Sequence, residues 1–341
     1  MHSFCRVPGV RFLILYFLLS LSLLQAEKVS FLTYNLENLF DSVDDPRTED
    51  ETFLPLKSKQ TKEHREKCKK QNPQSGHRLW ECLYLDWSKE KIDLKMKNLS
   101  EVLFKSPGSK GPDVLIVEEV ENKAIVEEWN QKHLKKANYS VYHVDSPDKR
   151  GIDQAVLTRL PVLETKYHRL EFKKFFKKTK ELRGILEVVI QLPQLKLHVL
   201  AVHLPSQQST FEERELLLNK LNALAVEIPA NEAVVVGGDF NISAEEWEKK
   251  KVFKNYVQDT WSLAHREGCA SCKGTFYYGR KKEWSFFDML LLRSDRQKNP
   301  RWSWDAGSVR VLESGKKPQG FDAKSLKGAS DHWPLYGELL Y

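Results

Sequence analysis

The feature that most restricts the fold of this chain is a series of short apolar runs, each of which stops at a residue able to bind a cation or move a proton. In VVVGGDFNIS, residues 234–243, three valines and two glycines lead into Asp239, Phe240 and Asn241. A run that is apolar on successive residues reads as a strand covered on both faces, because an edge or half-exposed strand would alternate with polar residues. KVSFLTYNLENLF alternates and then stays apolar, as an opening strand should; PDVLIVEEVEN reads as a short buried strand; IDQAVLTR, GILEVVIQL, LKLHVLAVHLPS, FFDMLLL and WPLYGELLY also read as strands.

Helical spacing lies between them. DLKMKNLSEVLF places Leu94, Met96, Leu99, Val102 and Leu103 at intervals that suit one helix face. TFEERELLLNKLNALAVEI predicts a second helix, with Thr210 and Glu213 spaced as a capping box. AEEWEKKKVF predicts a third. Strands interleaved with helices, without an internal repeat or linker after residue 27, predict a single α/β domain over 27–341. The segment 42–91 is polar and lysine-rich, with few periodic apolar positions, and is expected to be an insertion or long loop.

Residues 1–26 are set apart. Arg6 and Arg11 precede the apolar run FLILYFLLSLSLL, and LQA ends in a small residue, the pattern of a secretory signal peptide cut after Ala26. An uncleaved anchor is the rival reading, but this run falls short of the roughly 20 residues that span a bilayer. Without Arg6 and Arg11 the formal charge of +7 becomes +5, mildly basic and compatible with a polyanionic partner without proving one. With 41% hydrophobic and 30% charged residues, the composition is that of a packed protein, not a disordered one. Beyond the leader four cysteines remain, Cys68, Cys82, Cys269 and Cys272. An even number in an exported chain reads first as disulfides, with Cys68–Cys82 and Cys269–Cys272 the simplest of the connectivities. Their spacing is not that of a standard zinc finger, and CASC lacks the βαβ context of a redox motif.

The strand ends carry the chemistry. Asn35, Glu119, His203, Asp239 with Asn241, Asp288, and Asp331 with His332 each close or flank an apolar run. Each alone has an ordinary explanation as a turn residue, a cap or a satisfied core group. Together they form a set that a hard divalent cation and a phosphate ester would use: carboxylates and an amide for the metal, and a histidine with a carboxylate to hold its tautomer.

In TYNLENLF, PDVLIVEEVEN, RGIDQAVLTR, AVHLPS, GGDFNIS, WSFFDMLLL and SDHWPLYGEL, taken in this order, the chain resembles the endonuclease/exonuclease/phosphatase superfamily typified by deoxyribonuclease I. The resemblance implies an α/β (α+β) fold, a four-layer α/β/β/α sandwich of two packed mixed sheets flanked by helices. It implies a hydrolase acting on phosphate esters with Mg²⁺, Mn²⁺ or Ca²⁺ as cofactor. Carried over by position, Glu119, Asn35 and Asp331 look like metal ligands, with Glu119 the principal one. Asp239 looks like the group that orients the attacking water or handles the leaving oxygen, and Asn241 like a phosphate contact. His332 with Asp288 looks like the histidine–carboxylate pair, His203 like the second histidine, and Asp153 like a further active-site candidate of undefined role.

The family includes enzymes that cleave DNA, RNA, sphingomyelin and inositol phosphates, so the substrate has to be read elsewhere. KYHRLEFKKFFKKTKELR, residues 166–183, interleaves aromatic and basic residues and would suit a nucleic-acid backbone through Lys173, Lys174, Lys177, Lys178 and Arg183. A solvated basic loop explains it equally well. The alternative, a sphingomyelinase-like or inositol-phosphate phosphoesterase, would use Trp302 and Trp304 as exposed membrane contacts. A binding-only relative would have lost a ligand or histidine, and none is lost. Asn98, Asn138 and Asn241 open glycosylation sequons, and a glycan on Asn241 would block the site, which favours a bacterial, secreted or periplasmic protein. The expected partner is nucleic acid as substrate, acted on by a monomer without a stable protein partner.

Overall fold

The computed structural model describes residues 27–74, 76–173, 179–294 and 300–341, so the proposed leader lies outside the described residues. The first half of the chain runs β1 (Lys28–Leu39), α1 (Lys62–Gln71), α2 (Gly76–Tyr84), α3 (Lys89–Leu103), β2 (Val114–Val120), α4 (Lys123–His133), β3 (Ser140–His143), β4 (Asp153–Thr158), β5 (Val162–Lys173) and β6 (Thr179–Gln191). The second half runs β7 (Lys196–His203), α5 (Phe211–Glu227), β8 (Ala233–Asp239), α6 (Ala244–Lys249), β9 (Trp261–Leu263), α7 (Ala264–Gly268), β10 (Phe276–Tyr278), β11 (Glu283–Ser285), β12 (Asp288–Arg293), β13 (Ser303–Trp304), β14 (Arg310–Val311) and β15 (Leu335–Leu340).

Two large mixed sheets form. The first has the order β13-β15-β1-β2-β4-β3, with β14 also on β15; the second has the order β5-β6-β7-β8-β12-β9. Three apolar layers separate four layers of structure. Phe31, Ile116, Val188, Val199 and Leu290 interdigitate between the sheets. Leu32, Met96, Leu99 and Trp129 join the first sheet to α3 and α4, and Leu200, Leu217, Leu221 and Val236 join the second to α5. Alternate residues of one strand therefore face different cores, which is why the runs are apolar throughout. Gly237 and Gly238 permit close approaches: a Cβ on Gly237 would lie 2.3 Å from Ile116 Cδ1 across the sheets, and one on Gly238, at φ +146°, 1.9 Å from Val202 O.

Local expectations fare unevenly. On α3 the buried residues are Ile92, Lys95, Met96, Leu99, Ser100, Val102 and Leu103, so Leu94 alone of the expected stripe is displaced and a lysine takes a core position. Thr210 caps α5 without a side-chain hydrogen bond, and Glu213 accepts from Lys180 Nζ at 2.5 Å, so the capping box does not form. The segment 42–91 is not a long loop. It folds as two 3₁₀ turns, Glu51–Phe53 and Leu56–Gln60, followed by α1 and α2. Phe53 stacks on Phe40 at 4.2 Å and meets Trp87 edge-on, tying the segment to the end of β1. A Cys68–Cys82 disulfide, with Cα atoms 5.7 Å apart, staples α1 to α2, and closing so short a loop stabilises by about 3 kcal/mol. Cys269 pairs with Cys272.

Candidate active site

Each large sheet holds one parallel pair of strands, and the predicted residues gather at the C-terminal ends of both pairs. In the first sheet β1 runs parallel to β2 and brings Asn35 beside Glu118 and Glu119; in the second, β7 runs parallel to β8 and sets His203 directly opposite Asp239. Antiparallel β12 adds Asp288 opposite Asp239 on its other side. The register shifts after Asn35 and again after Glu118, where Glu37, Asn38 and Glu119 take left-handed backbone at φ 50°, 59° and 59°. Such bulges cost backbone energy and turn Glu119 out of the ladder, toward the mouth between the sheets.

Asp239 is the hub. Its Oδ2 accepts from Asn35 Nδ2 at 3.1 Å and Asn241 Nδ2 at 3.0 Å, and its Oδ1 accepts from Asn241 N at 2.7 Å. His203 Nε2 lies 3.6 Å from Asp239 Oδ2 and 3.9 Å from Glu119 Oε1. Burial raises the Asp239 carboxyl to about 7, against the pull of His332, with Asp288 and Glu119 adding to the rise. His332 Nδ1 lies 2.7 Å from Asp288 Oδ2, and Ser330 Oγ ties the His332 backbone to the carbonyl of Asn35. Burial opposes charge on His332, but Asp288, Asp331 and Asp239 raise its pKa well above the ordinary value, so it stands protonated. His203 is the reverse: burial, followed by the cations of Arg183 and Arg150, holds it well below, so it stands neutral.

The donor set suits a hard cation. Glu119 has Oε2 on Asn38 N at 3.1 Å, and Asn35 Oδ1 accepts one bond, from Glu37 N at 2.9 Å, leaving lone-pair capacity on both groups. Asp331 stays half-exposed at the mouth, with Oδ1 3.9 Å from His332 Nε2. Among the described residues no trio of acids, histidines or cysteines closes around Glu119. One carboxylate and an amide oxygen with spare lone-pair capacity can hold a hard divalent cation whose remaining positions go to water and substrate oxygens.

Three groups of the site escaped sequence reasoning. Glu118 is fully buried, accepts from Thr33 Oγ1 at 3.1 Å, and is raised well above the carboxylate range by burial and then by Asp288 and Asp239. Glu37 accepts from Phe321 N at 2.7 Å and is raised to about 8 by burial and by Asp331, against Lys95. Lys95, 1% exposed, donates to Ala329 O at 3.0 Å and lies 3.8 Å from Glu37, bracing the loop that precedes His332. The available signal was a lysine on the apolar stripe of α3.

Other expectations need correction. The chain turns directly after Asp239, where β8 ends, and Asn241 is left-handed at φ 49°. The two side chains still meet, because the turn folds Asn241 back onto Asp239, while Phe240 enters the core. Asp153 is not brought into the cluster; it binds His143 Nε2 at 3.0 Å and Ser146 N at 2.9 Å, fixing the loop before β4. Arg183 is not a surface phosphate contact. It is 7% exposed and donates to Asp148 Oδ2 at 2.5 Å, to His203 O and to Leu204 O, so it buttresses the end of β7. Lys173 is exposed at the end of β5, while Lys174, Lys177 and Lys178 lie outside the described residues. Trp302 and Trp304, at 4% and 6% exposure, pack between the sheets and donate to Arg293 O and Ser262 O, so they form no membrane contact.

The profile of the "Endonuclease/Exonuclease/phosphatase family" matches residues 83–340. Among solved structures, humanized D. rerio TDP2 covers 92% of this chain and 99% of its own at 16% identity and a TM-score of 0.56. A Bacteroides thetaiotaomicron endonuclease/exonuclease/phosphatase family protein covers 93% and 99% at 10% identity and 0.55. D. rerio TDP2 complexed with a single-strand DNA product covers 92% and 99% at 17% identity and 0.52. These likenesses show the fold. No curated protein sequence matches the chain.

Proposed function

We propose that this chain, which belongs to the endonuclease/exonuclease/phosphatase family, is an exported, divalent-metal-dependent phosphodiesterase that hydrolyses nucleic acid. The observation that carries the reading is the convergence on one mouth of Asp239, held by three hydrogen bonds, with a protonated His332 and a neutral His203. Hydrolysis joins the oxygen of water to phosphorus as the bond to the departing alkoxide breaks. Asp239, titrating near neutral pH, accepts the proton of the attacking water, and the asparagines that bind it fix its orientation. His332, kept cationic by Asp288, stabilises charge on the phosphoryl group and gives its proton to the alkoxide. Glu119 and Asn35 would hold the cation, which when bound neutralises the phosphate oxygens.

The substrate class is supported by the DNA complex of the D. rerio TDP2 neighbour and by the loss of the lipid alternative's supporting feature, since Trp302 and Trp304 are buried. The test is a hydrolysis panel of duplex and single-stranded DNA, RNA, sphingomyelin and inositol phosphates, run with Mg²⁺ and with chelator. Nucleic acid should be cut in the presence of metal, and Glu119→Gln and His332→Ala should each abolish cutting without unfolding the protein. Cleavage confined to lipid or inositol phosphate, or full activity in the double variant, overturns the reading. Export rests on the leader pattern and agrees with the disulfides at Cys68–Cys82 and Cys269–Cys272. The secreted protein should begin at Glu27; a cytoplasmic protein retaining residues 1–26 would refute export.

A further inference from the structure

A second concavity lies beside the active site, on the outer side of the second sheet. It has a volume of about 320 Å³, and its lining includes Trp247, Trp284, Phe286, His265, Arg266 and Lys273. Chain connectivity places it next to the chemistry. Ile242 in its wall follows Asn241, Phe286 precedes Asp288 by two residues, and Trp284 packs 5.0 Å from Trp333, the neighbour of His332.

Its surfaces are flat and aromatic. His265 stacks on Phe286 at 4.1 Å with an interplanar angle of 12°, and its buried Nδ1 has no hydrogen-bond partner among the described residues. The Arg266 guanidinium lies 4.1 Å from the Phe253 ring and 5.7 Å from the Trp247 ring. Beyond Trp247 and Arg266 an adjoining groove of about 270 Å³ continues past Lys251, Phe253 and Lys254. Lys251, Lys254 and Lys273 are exposed, and Glu248 is the one acid lining either space among the described residues. An aromatic pocket with one orphaned polar atom, opening onto a cationic groove, is the arrangement that holds single-stranded nucleic acid: bases stack, and the backbone follows the charges. The tract 166–183, by contrast, supplies a buried arginine at Arg183 and a lysine tied to α5 at Lys180.

We propose that this cavity and groove bind a single nucleic-acid strand next to the cleavage point, one base against Trp247 and the backbone running past Arg266, Lys251 and Lys254. The proposal rests on the nuclease reading above and names the face through which it acts. Neither His265 nor Trp247 takes part in bond breaking.

The experiment measures affinity of the full chain for a short single-stranded oligodeoxynucleotide in chelator, so that no turnover intervenes. Trp247→Ala should weaken binding about tenfold, and Trp247→Phe, which keeps a stacking face and controls for folding, should retain most of it. With abasic residues placed in turn along the oligonucleotide, one position should lose its sensitivity to Trp247→Ala. Lys251→Gln with Lys254→Gln should lower the salt slope by about 1.4. Unchanged binding by Trp247→Ala, or an equal loss at every abasic position, overturns the pocket. So does a Trp247→Ala loss of the same size for a base-free polyanion. Tight, Trp247-dependent binding without metal-dependent cleavage would sink the nuclease reading and leave the pocket standing; cleavage with Trp247→Ala unaffected would do the opposite.

Discussion

Two buried histidines border the same carboxylates, and their surroundings give them opposite charge. His332 is 5% exposed and His203 2%, so burial penalises the cation in both. Asp288 at 2.7 Å, with Asp331 behind it, outweighs that penalty for His332; Arg183 and Arg150 add to it for His203. The difference lies in the strands behind each ring. Behind His332 stands β12, which opens with an acid; behind His203 stands β6, whose Arg183 hydrogen-bonds the carbonyls of His203 and Leu204. In the proposed mechanism the cationic His332 gives a proton and Asp239, beside a neutral His203, accepts one.

The comparison can be broken from both sides. Asp288→Asn removes the partner that keeps His332 charged, and the rate should fall by about 10²- to 10⁴-fold. Because Asp288 raises the His332 pKa, its loss should also bring the alkaline limb of the pH–rate profile down to lower pH. Arg183→Gln acts on the other ring with a smaller effect. Removing a cation raises the pKa of His203 and of the Asp239 carboxyl that Arg183 also attracts, and the acid limb should move up. The two variants therefore narrow the profile from opposite ends. Histidine NMR in the metal-free protein checks the assignment: the His203 resonance should titrate at higher pH in Arg183→Gln, and His332 at lower pH in Asp288→Asn. Shifts in the same direction would show that a common burial effect, not the two partners, sets the charges.

The four layers followed from the family resemblance; the strands and most of the mouth were legible in the sequence, because a strand covered on both faces writes its burial in every residue and a polar terminus stands out against it. Asn35, Glu119, His203, Asp239, Asn241, Asp288 and His332 all reach the mouth for that reason. What it hid depends on pairing between distant segments. Arg183 looks like part of a basic surface until β6 is set beside β7 and its guanidinium turns under His203. Trp302 and Trp304 look exposable until β13 joins β15 and covers them with the second sheet. Asp153 sits in a motif-like RGID, yet the turn before β4 directs it to His143. Glu37 and Lys95 compensate each other across β1 and α3, a contact that neither periodicity reports. The segment 42–91 looked like loop because its burial depends on a few anchors, Phe53, Trp87 and the Cys68–Cys82 bridge, with no repeating stripe.

The smallest expected effect tests whether a histidine–carboxylate contact by itself marks a site. Glu187 on β6 lies 2.6 Å from His168 Nε2 and 2.6 Å from His198 Nδ1, distances that match the His332–Asp288 pair. Burial pushes the Glu187 carboxyl up, but the bonds from His168 and His198 outweigh it and bring it to about 2. His198 lies near the start of β7 and His203 at its end, so this pair is removed from the mouth. A depressed acid adds stability that is present above its unfolded pKa of about 4.5 and is lost as pH falls through about 2. Glu187→Gln should therefore lower Tm at neutral pH, with the gap to the wild type closing between about pH 4.5 and 2. Cleavage of DNA by the folded variant should stay unchanged. A Tm gap that persists to pH 2 would separate the effect from titration of Glu187, and a variant that folds but no longer cuts would mean that the second sheet transmits more to His203 than its end contacts with Arg183.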